Sequence, residues 1–246
     1  MTPAGAAETG AANGQERPTL GRFGNIRAWV FDLDNTLYHA ANAVLPQVEV
    51  RMRDYIARRL GVTPERAELL REDFYDRYGA TLAGLVAEHR IEPDEFLAYV
   101  HDIDHSSLQP DPALAAAIAA LPGKRFILTN GPMKHAETVA AALGVGESFH
   151  DIFDIAWAGY LPKPSPETYR RLLKRTRIAA TKTAIFDDLT RNLLVPRQLG
   201  MATTLVVPSH TAPVFAAESA EFDFVTDDLP QFLRGVSAAL RAPPPR

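Results

Sequence analysis

Short apolar runs that stop abruptly at acidic or amide residues are what most restrict the fold of this chain. Ala28-Trp29-Val30-Phe31 runs into Asp32-Leu33-Asp34-Asn35, and Arg125-Phe126-Ile127-Leu128-Thr129 into Asn130-Gly131-Pro132. Thr183-Ala184-Ile185-Phe186 runs into Asp187-Asp188. Thr204-Leu205-Val206-Val207 and Phe222-Asp223-Phe224-Val225 read as two more strands. Runs that are apolar throughout belong to strands covered on both faces. Helical patterns follow at 135–143, 167–175, 192–199 and 231–240. Strand followed by helix, repeated, predicts an α/β fold: a Rossmann-like, doubly wound parallel sheet.

The alternation is interrupted once. From 42 to 105 there are only helical patterns. Val44, Val48, Met52, Tyr55 and Ile56 recur every three or four residues, and Thr63-Pro64-Glu65 reads as an N-cap, a first-turn proline and an acidic first turn. A helical cap inserted after the first strand, lying over the strand ends, is the expected arrangement. The core then occupies 23–41 and 106–240. The stretch 1–22 is Ala/Gly/Thr-rich without apolar periodicity and is expected to be a disordered tail, with a second short tail at 241–246. The start lacks the basic residues and apolar run of a secretory signal, and no window approaches the roughly 20 apolar residues of a membrane span. A cytoplasmic protein without a membrane partner is expected.

Composition narrows the chemistry. The 246 residues include no cysteine, which excludes disulfides, thiolate zinc sites, iron–sulfur clusters and a cysteine nucleophile. A net charge of −4 gives no electrostatic reason to expect a nucleic acid polymer as partner. A phosphate-bearing substrate would need a metal or a few placed cations.

Ligands of open α/β sheets bind outside the carboxyl ends of the strands. The polar residues expected there are Asp32, Asp34, Thr129, Asn130, Gly131, Asp187 and Asp188. Lys163 joins them from the rigid turn Leu161-Pro162-Lys163-Pro164-Ser165-Pro166-Glu167. Crowded carboxylates need a cation to stay ionised, and hard oxygen donors suit Mg²⁺. Thr129 also reads as a strand-end hydroxyl that caps the next helix. His101-Asp102-Ile103-Asp104-His105 places two histidines four apart without a comparable third ligand, and reads as the hinge between cap and core, with one histidine near the substrate. Trp29, Trp157 and most cap aromatics read as packing residues, and Tyr38 as lining the site mouth or covering the hinge.

Phe31-Asp32-Leu33-Asp34-Asn35-Thr36-Leu37 resembles the first motif of the haloacid dehalogenase-like hydrolases, D-x-D-x-[TV]. Thr129 after a strand, Lys163 before a helix and the pair Asp187-Asp188 stand where the other three motifs would, in order. The resemblance spans the chain from Trp29 to Val225. Within that superfamily the chain is most similar to the pyrimidine 5′-nucleotidases, through Asn35 and Tyr38 in the first motif, Thr129-Asn130-Gly131, Lys163-Pro164-Ser165-Pro166-Glu167-Thr168-Tyr169, and the doubled aspartate of Phe186-Asp187-Asp188.

The resemblance implies a Mg²⁺-dependent phosphomonoester hydrolase acting on a small phosphorylated metabolite, a pyrimidine nucleoside 5′-monophosphate first among them. Asp32 would be the nucleophile, and Asp34 the acid/base and, through its carbonyl, a metal ligand. Thr129, Lys163 and the amides of Asn130 and Gly131 would hold the phosphoryl group. Asp188 would be the direct metal ligand ahead of Asp187, which would stand behind it or serve as a further ligand. Asn192 departs from the acidic residue usual at its place. Alternatives are a phosphatase for phosphoglycolate or a sugar phosphate, a sugar-phosphate mutase, or a catalytically silent phosphate-binding protein. A dehalogenase would have no use for Asp34.

Overall fold

A computed structural model of the protein describes residues 19–39, 43–208 and 222–242. Six parallel strands form one sheet: β1 (Ala28–Phe31), β2 (Lys124–Leu128), β3 (Asp151–Phe153), β4 (Thr183–Asp187), β5 (Ala202–Val206) and β6 (Phe224–Thr226). Their order is β3-β2-β1-β4-β5-β6. The chain builds outward from β1 to β3, then returns to the other side of β1 with β4. That reversal leaves a crevice at the carboxyl ends of β1 and β4, where ligands of doubly wound sheets bind. The register puts Phe31 beside both Ile127 and Phe186, so the residues after each strand emerge at one level.

The central strands β1, β4 and β5 are buried along their whole length. Trp29 and Phe31 point into one apolar layer with Leu114, Val139 and Leu233, from helices α5 (Pro112–Ala119), α6 (Met133–Ala142) and α9 (Leu229–Arg241). Ala28 and Val30 point into the other layer, with Tyr169 and Leu193 from α7 (Pro166–Thr176) and α8 (Thr190–Gln198). This is the Rossmann-like, doubly wound α/β fold expected.

Two elements escape a reading of the sequence. β3 is three residues long, pairs only with β2, and carries Asp151 in its short run. α5 has no polar face to give it a period, although Asp111 caps it by accepting from the Leu114 amide at 2.8 Å. Leu20–Phe23, partly within the stretch expected to be a tail, forms a 3₁₀ turn that seats Phe23 against Trp29. Residues 1–18 and 243–246 of the expected tails lie outside the described residues.

Between β1 and α5 stand α1 (Val44–Leu60), α2 (Pro64–Tyr78), α3 (Thr81–His89) and α4 (Pro93–Val100). Thr63 caps α2 by accepting from the Arg66 amide at 3.3 Å. Gly79 ends it at φ +81°, a left-handed conformation that a side chain would strain. The apolar stripe of α1 divides. Val44 packs in the sheet layer with Leu37 and Tyr38, whereas Val48, Tyr55 and Ile56 join Phe74, Leu85 and Phe96 in a separate cluster. α1 therefore starts in the α/β unit and ends in a helical insert with a core of its own.

Candidate active site

Asp32 follows β1 directly, and its amide donates to the Phe186 carbonyl of β4 at 2.9 Å, which pins it at the crevice between the two strands. Its Oδ1 accepts from Lys163 Nζ at 2.6 Å, and its Oδ2 lies 3.4 Å from the Thr36 hydroxyl. The same ammonium donates to Asp187 Oδ2 at 2.6 Å. Lys163 is 2% exposed and Asp187 not at all, so this cation sits between two buried carboxylates. Burial, joined by Asp187, Asp188 and Asp34, raises the Asp32 carboxyl well above its usual range despite Lys163. The two carboxylates in turn hold the Lys163 ammonium firmly protonated against its own burial.

Asn130 fixes where Lys163 stands. Its Oδ1 accepts from the Lys163 amide at 2.8 Å and its Nδ2 donates to the Lys163 carbonyl at 3.2 Å. The loop after β2 and the turn before α7 are thereby locked together. Thr129 Oγ1 accepts from the Gly131 amide at 2.9 Å, which commits that amide and turns the hydroxyl proton elsewhere. Thr129 does not cap α6, contrary to expectation. Asp154 does so, accepting from the Met133 amide at 3.0 Å, because Thr129 lies well before the N-cap position Pro132 and its hydroxyl oxygen is taken by the Gly131 amide.

Asp187 and Asp188 differ in what they can still bind. Asp187 Oδ1 accepts from Asn192 Nδ2 at 2.9 Å and from the Leu189 amide at 3.0 Å, while its Oδ2 holds Lys163. Asp188 is half-buried and accepts from Asn35 Nδ2 at 3.4 Å. Its carboxyl is pushed up to about 7, by burial first and by Asp187 next. Asn192 is placed by a proline: Pro196 inside α8 has no N–H to offer the Asn192 carbonyl, and the buried Tyr169 hydroxyl donates there instead at 2.7 Å.

Asp32, Asp187 and Asp188 each offer a carboxylate oxygen within 4.8 Å of the others. One lysine does not balance these three carboxylates and Asp34. The raised Asp188 and Asp32 carboxyls show the imbalance, and hard oxygen donors around it fit a divalent cation such as Mg²⁺.

Asp34 is built differently. Its Oδ1 accepts from the Tyr38 hydroxyl at 2.6 Å and from His135 Nε2 at 2.8 Å. Burial alone would raise its carboxyl. The hydrogen bonds from His135 and Tyr38, with the electrostatic pull of the His135 ring, overcome that and bring it below the usual range. Tyr38, whose place was open between site mouth and hinge, thus touches the site directly, and its own hydroxyl is raised by burial and by Asp34.

A cavity of about 620 Å³ joins these residues to the insert. Asp32, Asp34, Thr129, Asn130, Gly131, Lys163 and Asp188 line its floor, whereas Asp187 stays behind Lys163. Val48, Met52, Tyr75 and Phe96 line the insert side. Arg191 of α8 bridges the two parts: its guanidinium carbon is 3.6 Å from the Tyr75 ring centroid and its Nη2 donates to the Gly79 carbonyl at 2.9 Å. His101 also lines the cavity. Sequence reasoning passed over His135 and Arg191. The one available signal for His135 was a histidine on the apolar face of α6, beside Ala136 and Val139.

Known proteins place the arrangement. Phosphate metabolism protein 8 of Saccharomyces cerevisiae is 26% identical over 193 residues, which take in 71% of this chain and 60% of that protein, so the chain spans less than two thirds of that relative. The HAD phosphatase of Thermococcus onnurineus superposes with a TM-score of 0.60 at 16% identity, over 88% of this chain and 100% of the other. The 2-haloacid dehalogenase of Pseudomonas syringae gives 0.55 at 21%, over 87% and 99%. These structures share the fold. No helix among the described residues is long and apolar enough to cross a membrane. Residues 26–200 match the model of the haloacid dehalogenase-like hydrolases, a span that holds every acidic strand end from Asp32 to Asp188, and the chain belongs to that hydrolase family.

Proposed function

We propose that the protein is a Mg²⁺-dependent phosphatase that hydrolyses a pyrimidine nucleoside 5′-monophosphate through an aspartyl-phosphate on Asp32. The observation that carries the reading is Asp34. A second carboxylate, two residues from the first and aimed by two donors, is what ester cleavage needs and carbon–halogen cleavage does not. The name of the yeast relative is in keeping with phosphate chemistry.

In the first step an Asp32 oxygen attacks phosphorus and the bond to the ester oxygen breaks. Asp34 gives the departing alkoxide its proton. In the second step a water attacks the acyl phosphate, Asp34 takes the proton of that water, and the bond to Asp32 breaks to release phosphate. Asp34 is ionised in the free protein, as the second step requires. The negative charge of an arriving phosphate favours a proton on it, as the first step requires. Lys163 neutralises Asp32 and the phosphoryl oxygens, and Thr129 and the Asn130 amide donate to those oxygens while Gly131 orients the Thr129 hydroxyl. Asp32 and Asp188 would hold Mg²⁺, whose charge would screen the repulsion between nucleophile and phosphate. Asp187, both of whose oxygens are engaged, holds Lys163 in place.

The cavity favours a nucleoside over a small acid. Its volume of about 620 Å³ far exceeds what a two-carbon acid fills, and Val48, Met52, Leu82 and Phe96 give it an apolar side. Glu49, Glu72 and Asp76 line it as well, and Arg71, on the same wall, already donates to Glu68 at 2.6 Å. A second anionic group on the substrate would meet carboxylates there, whereas a neutral leaving group with hydrogen-bond donors would find partners. Phosphate release with Mg²⁺ across UMP, CMP, purine monophosphates, phosphoglycolate and hexose phosphates tests this. UMP and CMP are expected to turn over fastest. Much faster turnover of phosphoglycolate would remove the nucleotide and leave the phosphatase, and release from none of them would reject both.

A further inference from the structure

Three histidine rings meet beside Asp34, and the two chemical steps above use none of them. His135, in the first turn of α6, is 2% exposed. Its Nε2 stands 2.8 Å from Asp34 Oδ1, and its Nδ1 3.0 Å from Nε2 of His105. His105 is partly exposed, on the connector that returns from α4 to α5. His101, at the other end of that connector, lies with its ring 4.9 Å from His135 and its Nδ1 3.0 Å from the Leu97 carbonyl. The connector is tied to the insert by a reciprocal pair. The Asp104 amide donates to Gln47 Oε1 of α1 at 3.0 Å, and Gln47 Nε2 donates to the Asp104 carbonyl at 2.9 Å.

A purely apolar ring would fill the His135 position without burying two polar nitrogens. Both nitrogens are engaged, and the chemistry of their partners sets the direction. An ionised Asp34 only accepts, so His135 Nε2 carries the hydrogen; in the neutral imidazole its Nδ1 is then the acceptor and His105 Nε2 the donor. Tyr38 and His135 both bond Oδ1 of Asp34, which fixes the rotation of the carboxylate. Oδ2 has no partner among the described residues and is the oxygen left to exchange a proton.

We propose that His135 is a positioning residue that aims Asp34 at the leaving group, and that His105 makes this aim depend on the connector from the helical insert. The inference rests on Asp34 as the acid/base of a phosphatase. A displacement of the insert that drags Asp104 takes His105 with it and releases His135, so Asp34 is held in line only while the insert is in place over the site.

Two measurements test this. Nitrogen-15 NMR of the metal-free wild-type protein, labelled at histidine, reads the tautomers. Hydrogen on Nε2 of both His135 and His105 is expected, and hydrogen on Nδ1 alone of His135 would overturn the proposal. Single-turnover phosphoenzyme formation with Mg²⁺ is then compared between UMP and p-nitrophenyl phosphate, whose nitrophenolate departs without a proton. His135→Phe is expected to slow the UMP reaction by about 100-fold and the nitrophenyl reaction by less than about 5-fold, the usual reach of a well-aimed acid being at least the former. His135→Gln, which keeps a donor near the Nε2 position, should recover most of the loss, and His105→Phe should show the same selectivity to a smaller degree. Equal losses on both substrates, or none, would reduce His135 to packing. Should His135→Phe fail to fold, His105→Phe at its partly exposed position decides the same comparison. A wild-type protein that cleaves neither ester removes the phosphatase reading while the tautomers still report on the histidine chain, so the two failures are distinguishable.

Discussion

Lys163 Nζ donates to Asp187 Oδ2 at 2.6 Å, an ion pair closed to solvent on both sides, and the same nitrogen reaches Asp32 at the same distance. Removing the cation leaves buried negative charge without compensation, a loss of about 3–5 kcal/mol where one partner of such a pair is deleted. Lys163→Met, similar in volume, is expected to lower the unfolding free energy at pH 7 by that order in metal-free protein, read from the shift of the urea denaturation midpoint. It should also eliminate turnover. The Asp32 carboxyl, already raised, moves further up, so the folded form takes up a proton and stability is regained as pH falls. An unchanged midpoint at pH 7 would show that Lys163 does not compensate these carboxylates.

His101 gives a pH signature. Burial first and His135 next depress its imidazole to about 4. An unfolded imidazole takes its proton near pH 6.5. Between about 6.5 and about 4 the unfolded chain therefore binds a proton that folded His101 refuses, and stability falls as pH falls through that window. Asp188, pushed up to about 7, acts in the opposite sense over an overlapping window, so the informative quantity is the difference between His101→Asn and wild type. The variant should gain on wild type by up to about 3 kcal/mol from pH 6.5 to pH 4, by urea denaturation. Parallel pH curves for the two proteins would contradict a buried neutral ring.

Gly84 tests the packing of the insert. A Cβ there would stand 2.5 Å from Cβ and Cγ of Phe74, a fully buried ring between α2 and α3. Alanine adds up to about 1 kcal/mol of helix propensity, but overpacking a rigid core costs about 1–3 kcal/mol. Phe74 is fully buried and must shift, so Gly84→Ala is expected to be destabilised by about 1–2 kcal/mol net in chemical denaturation. A gain in stability would mean that α2 and α3 pack less closely than described.

The α/β fold was legible because β1, β2 and β4 announce themselves twice, by an apolar run and by the polar residues that stop it. The same endings marked Asp32, Thr129 and Asp187 for the crevice, and the rigid proline turn marked Lys163. What stayed hidden depends on tertiary contact. Asn130 is expected at the site for its amide, but the hold of its side chain on the backbone of Lys163 appears only in the folded chain. Tyr169 carries no assigned role in the sequence, and only a proline in a different helix gives its hydroxyl a carbonyl to hold. Three residues of β3 are too few for any period to show. His135 looks like an ordinary helix residue because its two partners, Asp34 and His105, come from segments distant in sequence.

The covalent step at Asp32 is the centre of the proposed mechanism. Protein quenched in acid during turnover of UMP with Mg²⁺, digested and analysed by mass spectrometry, is predicted to carry phosphate on the peptide that contains Asp32. Asp32→Asn should fold with an unshifted or higher denaturation midpoint, since a crowded carboxylate is removed, and show neither label nor turnover. Phosphate on a different residue, or full turnover in Asp32→Asn, would contradict it.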